Sequence, residues 1–98
     1  MVRYRVKADR AAENERYIQA VFAELERTKP AGLSYVSFKA ADGVSFVHIA
    51  SVDTTEGPHP LTSLATFKEF SAKIGERCEE PPVTTELHAV GTYRVFPG

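Results

Sequence analysis

Tryptophan is missing from the 98 residues, and cysteine and methionine occur once each. The single cysteine, Cys78, has no intrachain partner for a disulfide, so a reducing cytosol is the expected compartment. No apolar run approaches the roughly 18 residues that mark a membrane-spanning helix. The opening stretch MVRYRVKADR alternates charged and apolar residues where a signal peptide would be continuously apolar. A cytoplasmic protein that does not touch a membrane is therefore expected. Positive charge is not in excess either. The formal net charge is −1, which removes the electrostatic case for a nucleic-acid partner. Internal repeats and low-complexity tracts are absent.

What remains is the composition of an ordinary globular domain, 43% hydrophobic and 26% charged. Residues 1–98 are read as one domain. A chain this short buries only about two thirds of its unfolded surface, so association with a second copy would help it. Val2 to Ala8 alternates as a strand, with Val2, Tyr4 and Val6 on one face and Arg3, Arg5 and Lys7 on the other. Asp9 is the expected N-cap of a helix whose apolar stripe is Ile18, Val21, Phe22 and Leu25. Lys29-Pro30-Ala31-Gly32 ends that helix. Leu33 to Ala40 and Gly43 to Asp53 read as strands joined by an Asp42-Gly43 hairpin turn. Ser63 is the expected cap of a second helix carrying Leu64, Phe67, Phe70 and Ile74 inward, ended by CEEPP. Val83 to Phe96 reads as a long final strand. The order βαββαβ predicts an α+β, ferredoxin-like domain: a four-stranded antiparallel sheet, order 4-1-3-2, with two helices on one face.

Taking Asp42 and Gly43 as the two turn residues sets Phe38 opposite Val47, Val36 opposite Ile49, Ser37 opposite His48 and Tyr35 opposite Ala50. The wholly apolar set Val36, Phe38, Val47 and Ile49 is expected to face the helices. His48, Tyr35 and Ser37 then point the other way, joined by Arg3, Arg5 and Lys7 and, from the last strand, Glu86, His88, Thr92 and Arg94. That second face mixes charges with Leu33, Tyr35, Phe46, Val52 and Val90. A homodimer built sheet to sheet accounts for the mixture. The length of the last strand, with a bend at Gly91, would let its end pair with the partner.

The βαββαβ order, the segments DGVSFVHIASVD and PLTSLATFKEFSAKI, and the charged first strand RYRVKA together resemble the dimeric α/β-barrel superfamily and, within it, the antibiotic biosynthesis monooxygenase family. The resemblance covers nearly the whole chain. It implies a homodimer whose two sheets close into a barrel, and a cofactor-independent monooxygenase acting on a small hydrophobic phenolic or quinol compound. Characterised members often use a tryptophan, which this chain lacks. The haem-degrading branch uses an asparagine on the first strand and a histidine on the second helix, and neither has a counterpart here.

His48 is the residue best suited to chemistry. As a general base it would take a proton from a phenol or enol, with Arg3, Arg5 or Arg94 stabilising the anion and Tyr35 orienting it. The alternative is structural, a hydrogen bond from His48 to Ser37 or to a partner chain. A two-histidine, one-carboxylate metal site of His48, His88 and Glu86 is disfavoured because the first strand separates the histidines, so no metal is expected. Cys78 and His59 read as structural. Two classes stay open: a small oxygenase or isomerase, and a non-catalytic dimeric module that binds a small molecule or stabilises an assembly.

Overall fold

The computed structural model describes residues 1–53 and 59–93. Four strands form one antiparallel sheet: β1 (Val2–Val6), β2 (Leu33–Lys39), β3 (Ser45–Val52) and β4 (Cys78–Thr84), in the order β2-β3-β1-β4. This is the expected order read from the other edge. Helix α1 (Ala11–Thr28) connects β1 to β2, and α2 (Ala65–Ala72) with the short α3 (Ile74–Arg77) connects β3 to β4. Among the described residues no helix is long and apolar enough to cross a membrane.

The helix-facing side of the sheet is the opposite of the one expected for β2 and β3. The β1 assignment holds, since Tyr4 and Val6 are buried. But β1 pairs with β3 so that Val2 lies opposite His48 and Tyr4 opposite Phe46. Directly opposed residues share a face, so Phe46 and His48 lie under the helices with Tyr4. Leu33, Tyr35 and Ser37 follow them through the β2–β3 pairing. The apolar set Val36, Phe38, Val47 and Ile49 is on the outer face, where Arg3 lies opposite Val47. The core gathers Tyr4, Val6, Val21, Phe46, Leu61, Leu64 and Phe70. Phe22, expected in it, is half-buried and stacks on Tyr35 with ring centroids 5.1 Å apart.

The β2–β3 register is the one expected, with Ser37 opposite His48, yet the turn is longer. Ala40 N–H donates to Ser45 O at 2.8 Å, so the connection is the four residues 41–44. Two-residue and four-residue turns centred on Asp42-Gly43 leave the pairing unchanged. Asp42 drives the choice: its carboxylate accepts from Val44 N–H (2.9 Å), Ser45 N–H (2.8 Å) and the Ser45 hydroxyl (2.6 Å). Gly43 takes the left-handed conformation, φ 79°, that a side chain would disfavour.

Neither expected cap caps its helix. Asp9 lies in a 3-10 turn, Ala8–Arg10, ahead of α1. Leu64, not Ser63, is the N-cap of α2. The first turn of α2 is instead held across the core by α1, where the Glu24 carboxylate accepts from Thr66 N–H (3.1 Å) and the Thr66 hydroxyl (2.5 Å). Those bonds hold the Glu24 carboxyl below its ordinary pKa. His59 orders the approach, its Nδ1 accepting from Leu61 and Thr62 N–H groups at 3.1 and 3.2 Å. The expected stop after Lys29 is observed, with Lys29 in the left-handed region.

The last strand is shorter and earlier than expected. CEEPPVT is the strand itself, and its two prolines are tolerated because β4 is an edge. The register against β1 slips twice along this stretch. The ladder ends at Thr85, whose N–H donates to Met1 O at 2.7 Å. Past it no described strand lies alongside, and residues 85–93 are outside any strand. The Val83–Phe96 strand is therefore overturned over these residues, and residues 94–98 lie outside those described.

Candidate functional site

The helix side of the sheet carries more polar groups than a core usually tolerates, and all but one Arg77 guanidinium nitrogen find partners among themselves or the backbone. Asn14 lies on the inner stripe of α1, one turn before Ile18 and two before Val21, and exposes none of its surface. Arg77 closes α3 and is equally buried. Its Nε–H donates to Asn14 Oδ1 at 3.0 Å, and another guanidinium nitrogen donates to Phe70 O at 2.9 Å. The guanidinium lies over the Tyr17 ring, 4.5 Å from its centroid, and 5.2 Å from that of Phe70. Asn14 Nδ2 donates to the Tyr4 hydroxyl at 2.9 Å. Tyr4 Oη is 2.8 Å from His48 Nε2. On the far side of the imidazole, Nδ1 is 2.5 Å from Tyr35 Oη and 2.9 Å from Ser37 Oγ.

The donor inventory fixes the direction from Arg77 through Asn14 to Tyr4 and assigns the His48 tautomer that continues it. A guanidinium only donates, so Asn14 presents its carbonyl oxygen to Arg77 and its amide N–H to Tyr4. Tyr4 then spends its own proton on His48 Nε2, its remaining neighbour in the chain. In that assignment His48 accepts at Nε2 and carries its proton on Nδ1, towards Tyr35 and Ser37. Burial pushes the His48 pKa down to about 4, so the ring is neutral near pH 7. Burial also raises the Tyr4 and Tyr35 phenols, against the opposing hydrogen bond from Asn14 in the first case and from Ser37 in the second.

Beside this chain is a cavity of about 230 Å³ between the sheet and α2. Val2, Leu61, Phe67 and Phe70 supply much of its apolar wall, and Tyr4, Tyr35 and His48 form its polar corner. A small ring compound with one polar substituent matches that lining.

The expected site residues divide. His48, Tyr35 and Ser37 come together as the sequence suggested, but under the helices. Arg3 and Arg5 are on the outer face and do not reach them. Arg5 instead approaches Glu79 at 3.3 Å and Glu80 at 3.7 Å. Arg94 lies outside the described residues. His88 and Glu86 are exposed beyond β4, and among the described residues no group of three metal-ligating side chains forms. Cys78 is half-buried, and burial raises its thiol pKa, with Arg77 opposing.

Sequence reasoning missed Tyr4 as a partner of His48, and Asn14 and Arg77 behind it. Asn14 did leave a signal: an amide on the apolar stripe of a helix needs a buried partner. Arg77, next to Cys78-Glu79-Glu80, left none. Compared with protein-family models, with curated proteins and with solved structures, the chain matches none.

Proposed function

We propose that the cavity beneath α2 binds a small phenol or quinol and that the protein oxygenates it without a cofactor. The observation that carries this reading is the lining: largely apolar walls sized for one ring, with a polar corner made by Tyr4, Tyr35 and His48. The resemblance of the chain to the antibiotic biosynthesis monooxygenase family points the same way. For a phenol with a free para position the reaction balances with dioxygen alone. One oxygen atom becomes the second quinone carbonyl. The other leaves as water with the phenolic and para hydrogens. The protein's part is to exclude bulk water, hold the ring and stabilise the electron-rich oxygen that reduces dioxygen.

In this reading the subunit is a ferredoxin-like half of a dimeric α/β barrel, associated through its outer sheet face. Val36, Phe38, Val47 and Ile49 form an apolar patch there, with Phe38 45% exposed. The second reading, a binding module without catalysis, is favoured by one observation: both ring nitrogens of His48 already have partners. His48 is then a poor free base, and it acts on a ligand through Tyr35.

Oxygen uptake and binding calorimetry over a panel of small phenols and hydroquinones test both readings. The oxygenase reading expects one dioxygen consumed per phenol, with turnover reduced in Tyr35→Phe. Binding across the panel without oxygen uptake selects the module. No binding by any member removes the cavity from consideration.

A further inference from the structure

The chain Arg77–Asn14–Tyr4–His48–Tyr35 runs in one direction. Arg77 is wholly buried, has no carboxylate within ion-pairing distance among the described residues, and has one guanidinium nitrogen without a hydrogen-bond partner. A buried cation without a counter-ion favours negative charge nearby, and it forces every group in contact with it to accept. Asn14 accepts from Arg77 and donates to Tyr4; in the assigned tautomer Tyr4 donates to His48 Nε2 and His48 donates from Nδ1 to Tyr35. The oxygen of Tyr35 is then an acceptor. Its own proton is left for the cavity. Bonds aligned in this way polarise one another.

We propose that this relay makes Tyr35 a hydrogen-bond donor at the cavity wall, so that the site takes its ligand as an oxyanion, a phenolate, rather than as a neutral hydroxyl. The proposal rests on the reading of the cavity as a phenol site and names the protonation state that the site selects. The groups facing the cavity agree with it. Met1 and Tyr4 come from the β1 side, Tyr35 from β2 and His48 from β3, while α2 contributes only Phe67 and Phe70. The Met1 ammonium donates to Thr85 O at 2.6 Å. No carboxylate lines the cavity among the described residues. Around Arg77, α1 presents Asn14 and Tyr17 and α2 presents Phe70, none of them anionic.

The probe is 4-nitrophenol, whose phenolate and phenol absorb at different wavelengths. The whole protein is titrated with it across a range of pH. The expected result is that the bound probe absorbs as the phenolate and that its pKa falls by about one unit or more relative to the free probe. Tyr35→Phe removes one hydroxyl from a half-buried ring. It is expected to abolish that shift and to weaken phenolate binding about tenfold or more. Asn14→Leu, which cuts the relay upstream, is expected to reduce the shift in part. Two outcomes overturn the proposal while leaving the cavity reading in place: a probe bound as the neutral phenol, and a lowered pKa that persists in Tyr35→Phe, which would assign it to another group at the cavity wall. Absence of binding overturns the cavity reading, and the relay's role with it.

Discussion

Arg77 Nε and Asn14 Oδ1 lie 3.0 Å apart, and neither residue exposes any surface. The contact ties the last helical turn before β4 to the first turns of α1. It is worth more to the fold than a surface pair would be, because each partner leaves an expensive orphan when the other is removed.

Asn14→Ala is accordingly expected to destabilise the protein by about 2–4 kcal/mol, since it strips an acceptor from a buried guanidinium and a donor from the Tyr4 hydroxyl. Urea denaturation measures the cost. Paired with Arg77→Met, the two changes should cost clearly less together than the sum of their separate costs, because the double variant leaves no guanidinium lacking an acceptor. Additive costs would mean that the two side chains do not depend on each other.

The pH dependence follows from His48. Its folded pKa of about 4 lies below the ordinary 6.5. The unfolded chain therefore takes up a proton that the native state refuses. Stability from this group is fully present above pH 6.5 and is lost as pH falls towards 4. Between pH 7 and pH 5 the loss is roughly 2 kcal/mol. His48→Gln removes that dependence. Carboxylates such as Glu24 and Asp42, also held below their ordinary pKa, add an acid sensitivity common to both proteins. The quantity to measure is the difference between the two stability curves, and a difference that does not change from pH 7 to pH 5 would show His48 to be protonated as readily folded as unfolded.

How much of this could be read from the sequence depends on the element. The hairpin register was legible because the turn residues and the alternation on both strands share one centre, even though the turn has four residues rather than two. The face was not legible from β2 and β3 alone. Val36, Phe38, Val47 and Ile49 look like the buried set, while Tyr35, Ser37 and His48 look like groups seeking water or a partner. The decision lies in the β1–β3 pairing, which sets Tyr4 opposite Phe46, and no local pattern encodes that pairing. The polar groups can go inside because α1 and α3 bring Asn14 and Arg77 to meet them. The final strand misled for a related reason. Alternation after Val83 is a strand signal only where a neighbour exists to pair with, and Pro81-Pro82 is a breaker only away from an edge.

Burial ranks the aromatic side chains. Phe46 is 2% exposed and stacks on Tyr4 with ring centroids 5.6 Å apart. Phe46→Ala is expected to cost about 3–5 kcal/mol. Phe22 is half-buried, so Phe22→Ala should cost roughly 1–3 kcal/mol. Phe22 also braces the Tyr35 ring, so its loss should weaken ligand binding as well. Chemical denaturation of both variants checks the order. A larger cost at Phe22 would place the centre of the core on the α1 stripe rather than on the β1–β3 pair.

The outer sheet face supplies the last prediction. A patch of Val36, Phe38, Val47 and Ile49, with Val83, itself 49% exposed, across Arg3 from Val47, is more apolar surface than an isolated sheet face usually shows to water. Arg5 stands near its edge and already pairs with Glu79 and Glu80, so these three can border an interface without a new counter-charge. Sedimentation equilibrium at micromolar concentration is expected to give twice the 10.8 kDa chain mass. Val47→Lys places a charge at the middle of the patch without touching the helix side, where Phe46 and His48 point. It should return the protein to one chain mass while its circular dichroism stays native. A wild-type chain that sediments only as a monomer would remove the barrel. A Val47→Lys variant that stays dimeric would move the interface to another face.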